Sequence, residues 1–232
     1  MRLRRWEELP SFMRTDEVRP YWEALWKKRR HLALKRGFDV VTASILLMIA
    51  AVPMIVIAVM IKLDSRGPVL YHQERVTTYG KRFRIHKFRT MVQNADRVGT
   101  AVTVSNDSRI TRVGSMLRGL RLDELPQLID VIQGTMSFVG TRPEALKYVK
   151  QYRPEFFATL LLPAGITSEA SIRYKDEYKL LSASEDVDKT YIEQVLPGKM
   201  VWNLNSIERF SFFRELLTMV RTVLAVLGKE YD

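Results

Sequence analysis

Between Val40 and Ile61 the chain runs for 22 residues, VVTASILLMIAAVPMIVIAVMI, without a charged side chain. About 20 apolar residues in a helix match the thickness of a bilayer's hydrocarbon core, so the segment is read as membrane-inserted. The buried helix of a soluble protein seldom stays apolar on every side over this length. A secretory signal fits poorly: the run starts late, is long, and no small-residue cleavage site follows it. Both flanks are basic. Residues 1–36 hold eleven Lys/Arg against five Asp/Glu, and residues 62–91 hold eight against two, so each is net +6. Short basic flanks favour the cytoplasmic side, and a straight span would leave one of them outside. Pro53 lies within the run, where a proline removes a backbone hydrogen bond and bends the axis. A straight span tolerates a proline, so the flanks carry the argument. Together they predict a proline-kinked re-entrant membrane helix over residues 37–62, with both ends cytoplasmic.

Composition narrows the rest. The 232 residues suffice for one domain with attachments. An apolar share of 47% excludes a wholly disordered chain, and a single long uncharged run excludes a polytopic transporter. Cysteine is absent, which rules out disulfides, thiolate metal sites and a Cys nucleophile. His31, His72 and His86 are too scattered for zinc. The net charge of +11 calls for an acidic partner: nucleic acid, anionic lipid or a phosphorylated small molecule. The basic region 1–36, with Trp6, Trp22 and Trp26, suits a helix lying in the membrane interface, the alternative being a solvated arm.

Residues 63–232 read as a compact α/β domain, mainly helical with a small sheet element. Short strands are expected around Val69–Tyr71 and Phe83–Ile85, where alternation is visible. Helices are expected over 92–98, Val113–Leu120, Asp123–Val131, Arg142–Tyr152 and 184–195, with turns at Asn106–Ser108 and a loop at Pro163–Gly165. Phe212–Leu227 is amphipathic: Arg214, Thr218 and Arg221 share one face, and Phe213, Leu216, Leu217, Val220, Leu224 and Leu227 fill another. Such a helix can lie on the bilayer or pack on the core.

Chemistry concentrates in Leu122-Asp123-Glu124-Leu125-Pro126-Gln127-Leu128. With Asp123 as N-cap, Pro126 falls in the first turn, and Leu125, Leu128, Ile129 and Ile132 form an inward stripe. Two carboxylates at a positive helix end should stay ionised, and the aspartate could bind Mg²⁺ or attack phosphorus. Ordinary N-capping explains the pair equally well in isolation. Around it lie Arg118 and Arg121, Lys87 and Arg89 in Lys-Phe-Arg-Thr-Met, and Arg142 in Gly-Thr-Arg-Pro. Arginine forks match phosphate oxygens, and carboxylates with several cations at loop–helix junctions suit phosphoryl transfer.

These segments, in order, resemble the monotopic phosphoglycosyl transferases, the bacterial sugar transferase family. The likeness covers residues 35–227 and rests on KRGFDVV (35–41), the proline-interrupted apolar run, KFRTM (87–91), LRGLRLDELPQL (117–128), GTMSFVGTRPE (134–144) and PAGITSEASIR (163–173). It implies a re-entrant helix carrying a small cytosolic domain at the bacterial inner membrane. It also implies transfer of a sugar 1-phosphate from a UDP-sugar to polyprenyl (undecaprenyl) phosphate with release of UMP, the initiating step of surface glycoconjugate assembly. By the same likeness Asp123 is the nucleophile and an Mg²⁺ ligand, Glu124 its dyad partner, and Pro53 the kink. Lys87, Arg89, Arg118 and Arg142 line the phosphate pocket, and Arg173 stands where the family has a nucleotide-binding arginine. Expected partners are the donor, the acceptor and inner-membrane lipid, with a homodimer allowed and nucleic acid excluded. The chain departs from the family at Val52-Pro53, where Ser-Pro is common, at Thr141 in the Gly-Thr-Arg-Pro turn, and in Ser168–Tyr174. Having one apolar run, it resembles the minimal form of the family. Two other readings remain: a membrane-anchored adaptor that binds anionic lipid or nucleic acid, and a phosphotransferase moving a different phospho-group.

Overall fold

The apolar run is the core of a single helix far longer than itself. In a computed structural model describing residues 1–93, 95, 107–174, 177, 181, 184 and 186–228, α1 spans Arg19–Lys27 and α2 spans Arg29–Asp64 without interruption at Pro53. The most apolar window of α2 has mean hydropathy 2.9 and only 11% of it is buried, unlike the core helix of a soluble protein. It is long and apolar enough to cross a membrane. One stripe of α2 (Ala43, Leu47, Met54, Ile57, Ile61) packs on the body, while Met48, Ile49, Val52 and Ile55 face outward.

Strands β1 (Leu70–Val76) and β2 (Arg82–Phe88) pair antiparallel, from Leu70 opposite Phe88 to Val76 opposite Arg82. They are longer than the expected three-residue strands. Their turn uses two left-handed residues, Tyr79 (φ 58°) and Gly80 (φ 74°). After α3 (Arg112–Gly119) and α4 (Gln127–Gln133), strand β3 (Met136–Val139) pairs in parallel with β4 (Ala164–Thr167). The loop expected at Pro163–Gly165 is therefore the start of a strand. Its sequence is short, mostly enclosed and lacks alternation, so its period carries no signal. Glycine is required where the two strands end: a Cβ on Gly165 would stand 2.2 Å from the Gly140 nitrogen.

The crossover between β3 and β4 holds α5 (Leu146–Val149) and a 3₁₀ segment, Pro154–Leu161. The helix expected from Arg142 thus begins only at Leu146. The Glu144 carbonyl accepts from the Val76 amide at 3.0 Å and its carboxylate from the Tyr191 hydroxyl at 2.5 Å, which ties Arg142–Glu144 down as extended chain. Beyond β4 come α6 (Glu169–Arg173), α7 (Val187–Thr190), a π turn (Tyr191–Val195), α8 (Leu196–Glu208) and α9 (Phe212–Val226). The helix expected over 184–195 corresponds to α7 and that turn. The expected helix at 92–98 falls largely outside the described residues, as does Asn106, while the turn expected there is present from Asp107, whose carbonyl accepts from the Ile110 amide at 3.0 Å.

Three apolar clusters hold the molecule. The largest joins Leu3, Met13, Val18, Leu25 and Leu32 to Tyr148, Phe156, Leu161, Leu196 and Met200. Residues 1–36 are thus built into the core, and no break in packing marks residue 36. Trp22 is half-buried and donates its indole N–H to the Arg4 carbonyl at 3.0 Å. The other clusters join Ala43 to Leu128, Val131 and Met136, and Ile57 and Ile61 to Phe88 and Leu117.

The two ends of α2 are fastened to this one body. Near its start, Lys35 donates to the Val139 carbonyl at 3.0 Å and pairs with Glu215 of α9, and Asp39 accepts from Ser137 at 2.8 Å. Arg36 donates to the carbonyls of Val131 (2.5 Å) and Ile132 (2.8 Å), close to the C-terminus of α4. At its far end, Asp64 accepts from the Val113 amide at 3.0 Å. Helix α9 turns Thr218 inward and exposes Phe213 and Val220, so it packs on the core through part of its polar face and leaves its apolar face open.

Candidate active site

The chain reverses between α3 and α4 through Arg121, a left-handed residue (φ 57°), and a 3₁₀ turn, Leu122–Glu124. A non-glycine residue in that region is strained, and its place beside two carboxylates marks the turn as one held by its surroundings. Asp123 is therefore not the N-cap expected from the sequence: Pro126 occupies that position before Gln127. Of the expected Leu125, Leu128, Ile129 and Ile132 stripe, Leu128 is buried and Leu125 and Ile132 are partly buried against apolar clusters, while the fully buried face of α4 also takes in Gln127, Asp130 and Val131. Pro126 cannot extend a helix backward with a backbone donor, so the dyad stays in the tighter turn.

The two carboxylates have different surroundings. Glu124 Oε1 accepts from Lys87 Nζ at 2.9 Å and from Arg142 Nη2 at 2.5 Å. Burial opposes its ionisation, but the Arg142 guanidinium and the Lys87 ammonium outweigh this and hold its carboxyl well below the usual range. Arg142 is raised in turn, first by Glu124. Burial pushes Lys87 down, with Glu124 opposing. Asp123 is 9% exposed and makes no hydrogen bond or salt bridge among the described residues. Burial, then the Glu124 charge, raises its pKa, while Lys87, Arg118 and Arg121 act against the rise. The direction is opposite to what a helix N-terminus would give.

Strand β2 delivers Lys87, the loop after β3 delivers Arg142, and α3 delivers Arg118. The lattice is fixed one residue away from Lys87: Asp130 of α4, 1% exposed, accepts from the His86 amide at 3.0 Å and lies 2.8 Å from His86 Nδ1. A cavity of about 690 Å³ opens beside Glu124, walled by Arg118, Arg121, Arg142, Phe138 and Ile166. That is room for a nucleotide-sized ligand. Lys199 of α8 also lines it, donating to Glu177 at 3.1 Å and Tyr191 at 3.2 Å. Sequence reasoning missed Lys199 and Asp130. The one available signal was polarity inside apolar helical stretches.

Two expected pocket residues lie elsewhere. Arg89, 5% exposed, donates to the carbonyls of Ser65 (2.7 Å) and Arg66 (2.7 Å) and to Ser65 Oγ (2.9 Å), closing the C-terminal end of α2. Arg173 stacks on Trp202, 3.9 Å from the ring centroid, and lines a different cavity. Pro53 stands in mid-helix, exposed.

No group of three His, Cys, Asp or Glu that could cage a metal occurs among the described residues. Mg²⁺ does not need one, because it is commonly held by one or two carboxylates together with substrate phosphates. Asp123, the chain neighbour of the cavity-lining Glu124, supplies a hard carboxylate with no hydrogen bond or ion pair among the described residues, so the donor set fits Mg²⁺ bound with a phosphorylated ligand. Glu124 is already occupied by two cations.

Residues 30–229 match the family described as bacterial sugar transferase. A UDP-N-acetylgalactosamine-undecaprenyl-phosphate N-acetylgalactosaminephosphotransferase of Aeromonas hydrophila is 34% identical over 197 residues, covering 84% of this chain and 44% of that protein. A UDP-glucose:undecaprenyl-phosphate glucose-1-phosphate transferase of Caulobacter vibrioides is 35% identical over 83% of this chain and 69% of its own length. One of the same name from Escherichia coli is 40% identical over 69% of this chain and 36% of its own. The chain thus spans less than half of the Aeromonas and Escherichia relatives.

Proposed function

The chain belongs to the bacterial sugar transferase family, and we propose that it moves a sugar 1-phosphate from a UDP-sugar to polyprenyl phosphate with release of UMP. The observation that carries the proposal is the unequal pair of carboxylates. Glu124 is locked by Lys87 and Arg142, whereas its neighbour Asp123 is nearly buried and has no hydrogen-bond or ion-pair partner among the described residues. A desolvated carboxylate with a raised pKa binds its proton more tightly and is a stronger nucleophile than a hydrated one.

The reaction then takes two displacements. An Asp123 oxygen attacks the phosphorus that carries the sugar, the bond from that phosphorus to the bridging oxygen breaks, and UMP leaves with the electron pair. Asp123 now holds the phosphosugar as an acyl phosphate. A phosphate oxygen of the polyprenyl phosphate attacks the same phosphorus, the bond to Asp123 breaks, and the carboxylate is regenerated. Lys87, Arg118 and Arg142 offset the charge that gathers on the phosphoryl oxygens. Glu124 holds Lys87 and Arg142 in place for this. Mg²⁺ bound at Asp123 with the donor would supply further charge neutralisation. Two steps at one site remove the need to hold two bulky anions at once.

A water-soluble donor and an acceptor confined to the bilayer can meet only at the membrane surface. We place the body on the cytoplasmic face of the inner membrane, with α2 re-entrant at Pro53. In support, both ends of the apolar run are fastened to the same body, near Lys35 and near Asp64, and both flanks are basic. A helix crossing the bilayer would carry one of these ends away from its contacts. The product, a polyprenyl diphosphate sugar, is the starting lipid for glycan assembly. The relatives differ in their sugar, N-acetylgalactosamine or glucose, so the test is UMP release over a panel of UDP-sugars with undecaprenyl phosphate and Mg²⁺. Release by wild type with one of these sugars, and none by Asp123→Asn, is expected. Equal release by both proteins would overturn the reading.

A further inference from the structure

A second cavity, about 380 Å³, lies beside the first, between α6, α8 and α9. The two are divided by side-chain bonds. Thr167 and Thr222, on the first cavity, meet at 2.7 Å, and one turn earlier on α9 Thr218 donates to Glu169 at 2.7 Å on the second. Nothing beyond that wall takes part in the proposed reaction.

Three guanidinium groups line the second cavity without an anionic partner. Arg173, Arg209 and Arg214 make no side-chain hydrogen bond or salt bridge among the described residues. Arg173 is the most telling, because its Nε is buried and unpaired while Trp202 holds the group by stacking. A buried donor without an acceptor is costly, and a stacked guanidinium keeps its N–H fork in one plane, ready for an oxyanion. Both carboxylates on the lining are engaged, Glu215 by Lys35 and Glu169 by Thr218 and Arg221. The site is therefore cationic in excess, and an anion with several oxygens fits it.

The rim decides what kind of anion. Leu217 lines the cavity yet is 49% exposed, and Phe213, one turn before it, is 73% exposed. This apolar face of α9 continues onto α2 through the Phe38–Phe212 ring contact at 5.5 Å. A soluble nucleotide would leave that rim bare, whereas a phosphate with acyl chains attached would cover it. We propose that the second cavity binds the head group of an anionic glycerophospholipid of the surrounding bilayer. Arg173, Arg209 and Arg214 take its phosphate, and its chains lie along Phe213 and Leu217. Bound lipid would fix the depth of α9, whose last turns wall the first cavity through Thr222, Ala225 and Val226.

The test uses the full chain in nanodiscs of phosphatidylcholine with a minor share of phosphatidylglycerol, released into detergent for native mass spectrometry. Basic side chains near an anionic leaflet contribute enough that losing two should weaken retention roughly thirtyfold. Wild type is expected to keep one phosphatidylglycerol, Arg173→Gln/Arg214→Gln to lose it, and Arg214→Gln alone, at an exposed position where folding is not at stake, to bind more weakly. Arg153→Gln, an exposed arginine away from the cavity, should bind as wild type does. Equal retention by wild type and the double variant would overturn the proposal. So would retention of phosphatidylcholine as tight as that of phosphatidylglycerol. Displacement of the lipid by UDP or inorganic phosphate would make this a soluble-phosphate site, and displacement by an equimolar polyprenyl phosphate would make it an acceptor site. Either result would overturn the proposal while leaving the transferase reading intact.

Discussion

Arg89 separates two roles that the sequence leaves merged. In Lys-Phe-Arg-Thr-Met it looks like a phosphate ligand, yet its guanidinium makes three bonds of 2.7–2.9 Å to Ser65 and Arg66 where α2 ends. A hydrogen bond involving a charged group is worth about 1.5–3 kcal/mol net. The three share one donor group and are not additive, so Arg89→Met should cost about 3–5 kcal/mol, including the part-buried carbonyls it strands. For a chain of 232 residues, each kcal/mol lowers Tm by about 2–4 °C, giving a fall of roughly 6–20 °C. The assay is thermal unfolding of the detergent-solubilised protein, with steady-state kinetics on the fraction that remains folded. Tm should drop, limited proteolysis around Lys62–Arg66 should speed up, and KM for the donor should stay put. Arg89→Lys should recover part of the loss only, because an ammonium cannot span the same acceptors. An Arg89→Met protein with wild-type Tm and a donor KM raised tenfold or more would refute this assignment and return Arg89 to the phosphate pocket.

Glu124→Gln should cut UMP release by about 100-fold or more, since two part-buried cations lose the anion that positions them. The same change should move the acid limb of kcat/KM downward, because the Glu124 charge helps to raise Asp123. Glu215, against Lys35, is pushed up by burial to about 7 from an ordinary 4.5. A raised acid gives stability that is complete below pH 4.5 and lost as pH climbs through 7, worth about 3 kcal/mol over that window. Melting curves between pH 5 and 8 should therefore show Glu215→Gln gaining on wild type as pH rises, and a constant gap would refute the shift. The chain lacks native cysteine, so single cysteines at exposed Arg30 and Arg66 report the topology of α2 directly. Both should react with an impermeant reagent from the same side of sealed vesicles, and labelling from opposite sides would exclude the re-entrant arrangement.

The parts legible in the sequence were those whose signal is local. The uncharged run gave α2, the alternation in Arg82–Phe88 gave β2, and the periodicity of Phe212–Leu227 gave α9. Lys87, Glu124 and Arg142 were singled out from separate motifs, and the fold brings them within hydrogen-bonding distance. What stayed hidden depends on partners far along the chain. Strands β3 and β4 are enclosed four-residue pieces with no period to detect. Arg142–Glu144 is kept from helix by Val76 and Tyr191, residues about 50 or more positions away. Arg89 and Arg173 share the residue type of a phosphate ligand, but their places are set by the end of α2 and by Trp202. Residues 1–36 read as an interfacial helix because basic side chains and tryptophans outnumber the few other apolar ones, such as Leu3, Met13 and Leu25, that carry them into the core.

The proposed transfer requires a covalent bond between Asp123 and the phosphosugar. Purified protein incubated with Mg²⁺ and a UDP-sugar labelled in the sugar, with acceptor omitted, should be quenched and mapped by peptide mass spectrometry. A sugar phosphate on the peptide containing Asp123, discharged on adding undecaprenyl phosphate and absent from Asp123→Asn, is the predicted result. Lipid-linked product formed at wild-type rate by Asp123→Asn would contradict it.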